Sequence, residues 1–145
     1  MTILDPARST PRSVTAPKGG LIPSVWGAFP FAAVSVERVR IFGVVPPEGN
    51  GLVCRGMDLF FSAAVAASNA DYWTVEMGTM SGQMEFSPKA IAAQPFTGWA
   101  KGRNAVDFQV KIRYANGDVI AVRVRPIGDP AALTTLDVVP RLQES

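Results

Sequence analysis

The sequence predicts an all-β body, a β-sandwich of the jelly-roll kind, preceded by an extended proline-rich arm. From residue 34 onward, short β-branched or alternating apolar runs are separated by turns rich in Gly, Pro and Asn, a pattern typical of sandwiches and barrels. No heptad pattern or amphipathic helix interrupts these runs, and the one helix-favouring stretch, residues 63–70, is short. Prolines recur through the first thirty residues. We therefore divide the chain into an arm, residues 1–31, and a β-sandwich body, residues 32–145.

The arm combines an extended backbone with apolar side chains. Each proline fixes φ near −65° and removes a backbone donor, so the segment is neither a helix nor a good strand. Apolar side chains on such a backbone need a surface to lie on. We expect the aromatic end of the arm, residues 26–31, to attach to its own body, and residues 1–24 to reach a partner. The side chains expected to contact a partner are Arg8, Arg12, Lys18, Leu21, Ile22, Trp26, Phe29 and Phe31.

Extended runs separated by turn residues predict the strands of the body. The first run, residues 34–42, alternates with one slip, which indicates a bulge near Glu37 and Arg38. Pro88 lies inside a later run and marks an edge strand or a bulge there. The remaining predicted strands are residues 52–54, 57–64, 72–77, 83–91 and 136–139.

The clearest pattern, residues 107–125, predicts a β-hairpin. Apolar residues alternate on both sides of Asn116-Gly117. A two-residue turn would mix apolar and charged residues on each face, so the pattern favours a three-residue loop, residues 115–117, with Gly117 in the left-handed region. In that register Asp107 faces Arg125. The apolar pairs are then Ile112 with Ile120, Val110 with Val122, and Phe108 with Val124.

The predicted hairpin gathers basic side chains on one face, namely Lys111, Arg113, Arg123 and Arg125. One interpretation is a patch for an acidic partner surface or a nucleic acid. The commoner one is a solvated strand face. Because the net charge is only +2 and no long basic run occurs, we expect no nucleic-acid partner.

The composition argues against an enzyme. The chain contains no histidine, which removes Ser-His-Asp and Cys-His nucleophile systems and the usual zinc ligand sets. Cys54 is the only cysteine, so no intramolecular disulfide is possible, and we expect its thiol to be buried. Gly49-Asn50-Gly51 is typical of a turn rather than a phosphate-binding loop. We expect no cofactor and no metal.

Acidic and aromatic residues of the body leave further possibilities open. A glycosidase needs two carboxylates close together, but the spacing forces no such pair, so we expect each acid on the solvent face of its strand. The candidates are Glu37, Asp58, Glu76 and Glu85. Two Asn/Asp clusters, residues 69–71 and 116–118, do not match a full calcium loop. The aromatic residues are either core or interface anchors or, less commonly, a sugar-stacking platform. They are Tyr72, Trp73, Phe96 and Trp99.

Residues 63–77, AAVAASNADYWTVEM, resemble a pattern of tailed-bacteriophage structural proteins, in which small residues and a Ser/Asn/Asp turn precede a strand. The plan of the chain, an extended arm on a small β-rich body, resembles that of capsid decoration (cement) proteins. The resemblance implies a virion protein on the capsid surface, made in the host cytoplasm. It also implies binding to the major capsid protein or another virion protein, and self-association, with a trimer favoured.

Two other functions stay open from the sequence. The chain is alternatively a tail, neck or fibre component of a phage, or a carbohydrate-binding module for host attachment. We expect no membrane span, because the longest apolar stretch, residues 59–67, is far shorter than the ~20 residues that a span needs. No secretory signal peptide is expected either, because Asp5 and Pro6 stand where its apolar region would lie.

Overall fold

The computed structural model describes residues 29–31, 34–93 and 98–144. Within these ranges the chain forms eight β-strands and no helix, which confirms the predicted all-β class. The strands are β1 (Phe29–Phe31), β2 (Arg38–Val44), β3 (Leu52–Phe61), β4 (Tyr72–Met80), β5 (Phe86–Ala93), β6 (Gly102–Tyr114), β7 (Val119–Ile127) and β8 (Leu136–Glu144).

The strands form two four-stranded antiparallel sheets. The first sheet has the order β1-β8-β3-β6 and the second has the order β2-β7-β4-β5. β1 pairs with β8, β2 with β7, β3 with β6, and β4 with β5. The chain is therefore one long antiparallel ribbon folded over on itself, which is the strand arrangement of a jelly roll and agrees with the predicted sandwich.

The core lies between the two sheets and is filled by the inward-facing residues of both. From β3, Cys54 and Leu59 are fully buried, and from β4 so are Val75 and Met77. The Cys54 Sγ lies 3.7 Å from the Met77 Sδ, so the two sheets are in contact at this point. Burial of the thiol confirms the expectation for Cys54 and raises its pKa to about 11, because a thiolate in this apolar surrounding would lose its hydration.

The predicted hairpin is wrong, because β6 and β7 belong to different sheets. β6 pairs with β3, whereas β7 pairs with β2 and β4. The loop between them crosses from one sheet to the other, and Gly117 has the expected positive φ of 86°. The alternation of apolar residues misled the prediction because it reports which side of a strand faces the core. Two strands that face the same core from opposite sheets show the same alternation as two strands that pair.

Residues of the predicted hairpin accordingly have other neighbours. Asp107 accepts a hydrogen bond from the Arg141 Nη1 at 2.6 Å and does not face Arg125. Val110, expected to point inward, is 81% exposed. It lies in an irregularity of β6, where the register with β3 jumps from Cys54–Ile112 to Gly56–Asp107.

Bulges and strand ends also differ in detail from the sequence-based expectation. The register of β2 shifts between Ile41 and Gly43, and not at the predicted position near residues 37–38. Pro88 does lie on an edge strand, β5, at a register shift, which agrees with the prediction. At this position the missing N–H of proline costs least.

Candidate interaction face on the second sheet

The structure describes only the last part of the predicted arm. Six of the eight residues expected to contact a partner lie outside the described residues: Arg8, Arg12, Lys18, Leu21, Ile22 and Trp26. The other two, Phe29 and Phe31, belong to β1, where they pair with Val138 and Leu136 of β8. The side chain of Phe31 is buried in the core of its own body, and the Arg40 guanidinium lies 5.7 Å from its ring centroid. β1 therefore attaches the chain to the sandwich directly after residue 28.

The outer surface of the second sheet is rich in aliphatic side chains. The strand register puts Ile41 of β2 beside Ala121 of β7, and Val44 beside Val119. On the opposite edge, Ile91 of β5 lies beside Glu76 of β4. The side chains of Ile41, Val44 and Ile91 are 43%, 55% and 57% exposed. We call this surface the apolar face; it consists of the outward residues Val39, Ile41, Val44, Thr74, Glu76, Ile91, Ala93, Val119, Ala121, Arg123 and Arg125.

A buried carboxylate lies at the centre of the apolar face. Glu76 is fully buried. Its Oε1 accepts hydrogen bonds from the Arg123 Nη2 at 2.6 Å and Nε at 3.2 Å, and its Oε2 accepts one from the Thr74 hydroxyl at 2.8 Å. The Arg123 guanidinium also lies 4.8 Å from the centroid of the Phe86 ring, within cation–π range. These contacts satisfy the carboxylate without water.

The expectation that Glu76 is exposed to solvent on the outer side of its strand is wrong. Glu76 does point outward from β4, but the side chains of the neighbouring strands cover it. Asp58 is the second correction, since it too is buried, at 9% exposure. One signal in the sequence identifies Glu76: it is the only charged residue of the strand YWTVEMGTM. Charged side chains inside such a strand are usually paired, and the register supplies Arg123.

The apolar face has an excess of positive charge. Arg125, the second basic residue beside Glu76, has its Nε 3.5 Å from the Glu76 Oε2, too far for a good hydrogen bond. That Nε has no hydrogen-bond partner among the described residues, while the side chain is 40% exposed. Two guanidinium groups thus share one carboxylate, and Arg123 makes the closer contact.

The outer surface of the first sheet is of a different kind. There Asp58 lies 3.1 Å from the Arg103 Nη2 and 3.8 Å from the Arg141 Nε. Arg141 also pairs with the exposed Asp107 and donates to the Val106 carbonyl at 2.8 Å. We call this surface the charged face; its ionic residues are Asp58, Arg103, Asp107, Arg113, Asp137 and Arg141.

The predicted basic patch does not exist as one surface. Lys111 and Arg113 are on β6 of the first sheet, whereas Arg123 and Arg125 are on β7 of the second. The two sheets pack against each other across the core, so the two pairs of basic residues do not belong to one surface. The error follows directly from the wrong hairpin.

Two of the four aromatic residues considered for sugar stacking are in the core. Trp73 is buried and donates its indole N–H to the Ala131 carbonyl at 2.8 Å. Trp99 is buried against Phe61, with ring centroids 4.9 Å apart. Tyr72 is half-buried, and Phe96 lies outside the described residues. A cavity of about 250 Å³ beside Trp73 is lined mainly by residues 64–68 and 130–134, most of them small. Trp73 and Trp99 therefore act as core anchors.

No group of three or more potential metal ligands from His, Cys, Asp and Glu occurs in the described part of the chain. Within the same part, no helix is long and apolar enough to cross a membrane. Comparison with known proteins found no matching family model, no matching curated protein and no matching solved structure.

Proposed function

We propose that this chain is a virion structural protein that binds and stabilises the capsid surface as a decoration protein. The observation that supports this proposal most is the way the chain enters the sandwich. β1 is a three-residue edge strand fixed by the buried Phe31, and the proline-rich residues 1–28 precede it. Jelly rolls are used in viral capsid domains and in lectins, but a fold alone does not define a function. The proposal therefore depends on the arm and on the resemblance of residues 63–77.

The proposed mechanism is mechanical. Residues 1–28 spread over a joint between capsid subunits, with Leu21, Ile22 and Trp26 on apolar sites and Arg8, Arg12 and Lys18 beside acidic residues. A segment that orders on binding loses conformational entropy, and its prolines reduce that loss because they restrict the free chain. Phe31 and the β1–β8 pairing hold the end of the segment, so that force on the arm is passed to the whole first sheet.

Copy number tests the position in the virion. Virions are purified and the chain is quantified by mass spectrometry against the major capsid protein. A decoration protein is present in hundreds of copies, whereas a tail, neck or fibre component is present in few. Hundreds of copies would support the proposal. A small fixed number would instead indicate a tail, neck or fibre component.

Deletion of residues 2–24 tests the role of the arm. The deletion retains Trp26 and the whole of β1, so we expect the body to fold with an unchanged circular dichroism spectrum. We expect it not to bind virions that lack the chain, while the full-length protein binds. Full occupancy by the deleted variant would contradict the proposed mechanism.

A further inference from the structure

We infer that the apolar face is a second partner-binding surface, separate from the arm, and that it binds an apolar protein surface carrying an Asp or Glu side chain. The inference rests on the proposed function only for the identity of that partner, the capsid protein. The surface and the chemistry it selects follow from the described residues.

Apolar and ionic side chains are distributed differently between the two outer surfaces. The charged face carries at least six ionic residues, whereas the apolar face carries three, Glu76, Arg123 and Arg125. Around these three lie Ile41 and Val44 on one edge and Ile91 on the other, all exposed. Exposed apolar side chains that are concentrated on one surface of a globular domain mark interaction sites. An apolar surface with arginine and few other charges has the composition of an interface core.

The two arginines of the apolar face are neutralised to different degrees. Arg123 is satisfied by Glu76 at 2.6 Å, but Arg125 is held only at 3.5 Å by the same carboxylate and is 40% exposed. The cluster therefore keeps one positive charge that no carboxylate neutralises within it. A partner carboxylate would pair with the exposed end of Arg125 in a charge-assisted hydrogen bond. Such complementarity selects the partner and fixes its orientation.

The sign of this charge also identifies the occupant of the apolar face. A second copy bound through the same face by a two-fold axis would oppose the positive charge of one Arg125 cluster with that of the other. The arm is also a poor occupant, because residues 1–28 contain Arg8, Arg12 and Lys18 but only one acid, Asp5. Both have the same sign of charge as the face. An acidic residue in apolar surroundings on a different protein has the opposite sign.

The test compares lysine substitutions on the two outer surfaces. Ile91→Lys places a charge on the apolar face, and Val110→Lys is the matched control, since Val110 is an exposed aliphatic residue of β6 on the other sheet. Binding of each full-length variant to virions that lack the chain is measured as a Kd. Thermal unfolding shows that each variant is folded.

We expect Ile91→Lys to raise the Kd roughly tenfold or more, because it buries an unpaired charge in the interface, and Val110→Lys to change it less than about twofold. Arg125→Gln is expected to weaken binding roughly tenfold and to reduce its dependence on salt, because it removes an interfacial ion pair whose arginine is partly exposed and therefore screened by salt.

The outcomes separate the two proposals. If wild-type protein does not bind the virions, the proposed function fails. If wild-type protein binds and Ile91→Lys binds equally well, the inference is overturned while the proposed function stands. If Ile91→Lys instead turns a dimer of the free protein into a monomer in analytical ultracentrifugation, a second copy occupies the face, and the inferred occupant is wrong.

Discussion

Both outer surfaces of the sandwich place one carboxylate between two arginines, yet the two clusters differ in burial. On the apolar face, Glu76 is fully buried and accepts hydrogen bonds at 2.6 Å and 2.8 Å. On the charged face, Asp58 keeps some exposure, and its contacts with arginine are 3.1 Å and 3.8 Å. The difference arises from the neighbours. Aliphatic and aromatic side chains exclude water around Glu76, whereas the two arginines that contact Asp58 are 59% and 29% exposed, so these ion pairs reach solvent at their arginine end.

The same residue types therefore have different roles in the two sheets. In the second sheet the ion pair is an internal component of the fold, which allows the surface around it to be apolar. In the first sheet the carboxylate of Asp58 is buried, but Arg103 and Asp107 at the edges of the cluster reach into solvent. An apolar surface that is internally neutralised except at Arg125 is suited to protein contact, and a solvated ionic surface is suited to face water.

The largest effect on stability is expected from Glu76→Ala. The substitution leaves the Arg123 charge, only 16% exposed, without its carboxylate, so we expect a loss of about 3 kcal/mol in the free energy of unfolding. Urea denaturation measures it. The double variant Glu76→Leu/Arg123→Met removes both charges and is expected to recover most of the loss. A loss below about 1 kcal/mol for Glu76→Ala would show that Glu76 contributes no more to stability than an exposed ion pair does, and the two faces would then not differ in this respect.

A smaller effect on stability is expected from the Cys54 thiol, which lies at the contact between the two sheets. Burial raises the pKa of the Cys54 thiol from 9.0 to about 11. The unfolded chain therefore ionises first, and it binds fewer protons than the folded chain between these values. The stabilisation from Cys54 is complete below pH 9 and is lost as pH rises toward 11.

We expect the Cys54 contribution to fall by about 1 kcal/mol between pH 8 and pH 10. The measurement is the difference in unfolding free energy between wild type and Cys54→Ala at each pH. Burial, together with the nearby Cys54, also raises the pKa of Tyr114, and the part of this shift that is due to burial is common to wild type and Cys54→Ala. A difference that is independent of pH would show that the thiol is hydrated in the folded protein.

Asp58→Ala is expected to cost about 0.5 kcal/mol, since the contacts of this carboxylate, at 3.1 Å and 3.8 Å, are made with arginines that are themselves partly exposed and screened. Arg141 keeps its contact with Asp107 in this variant. Repeating the measurement at high salt should reduce the cost further, whereas the cost of Glu76→Ala should change little. Equal costs for the two carboxylates would mean that burial does not distinguish the two clusters.

The smallest effect on stability is expected from Arg125→Gln. The Arg125 Nε makes no hydrogen bond with the described residues, so we expect a change within about 0.5 kcal/mol. Its effect should appear in partner binding instead. A loss of stability as large as that of Glu76→Ala would identify Arg125 as a structural residue and remove it from the binding surface.

The sequence predicted the fold class and most strands because alternation and turn residues are local signals. It failed at residues 107–125, where the same alternation fits a hairpin and a crossing between sheets. Which strand lies beside β6 depends on β3, some fifty residues earlier, and no local pattern encodes that distance. The cluster around Glu76 was missed for the same reason. Arg123 reaches Glu76 through the pairing of β4 with β7, so the covering of the carboxylate follows from topology.

Cysteine labelling on assembled virions tests the difference between the two faces most directly. Ile91→Cys and Val110→Cys variants are labelled with a maleimide near pH 7, free and bound to virions. The native Cys54 is buried and stays a thiol at that pH, so only the introduced cysteine reacts. We expect binding to protect Ile91→Cys and to leave Val110→Cys as reactive as in the free protein. Equal labelling of Ile91→Cys in both states, or protection of Val110→Cys alone, would contradict the assignment of the apolar face to the partner.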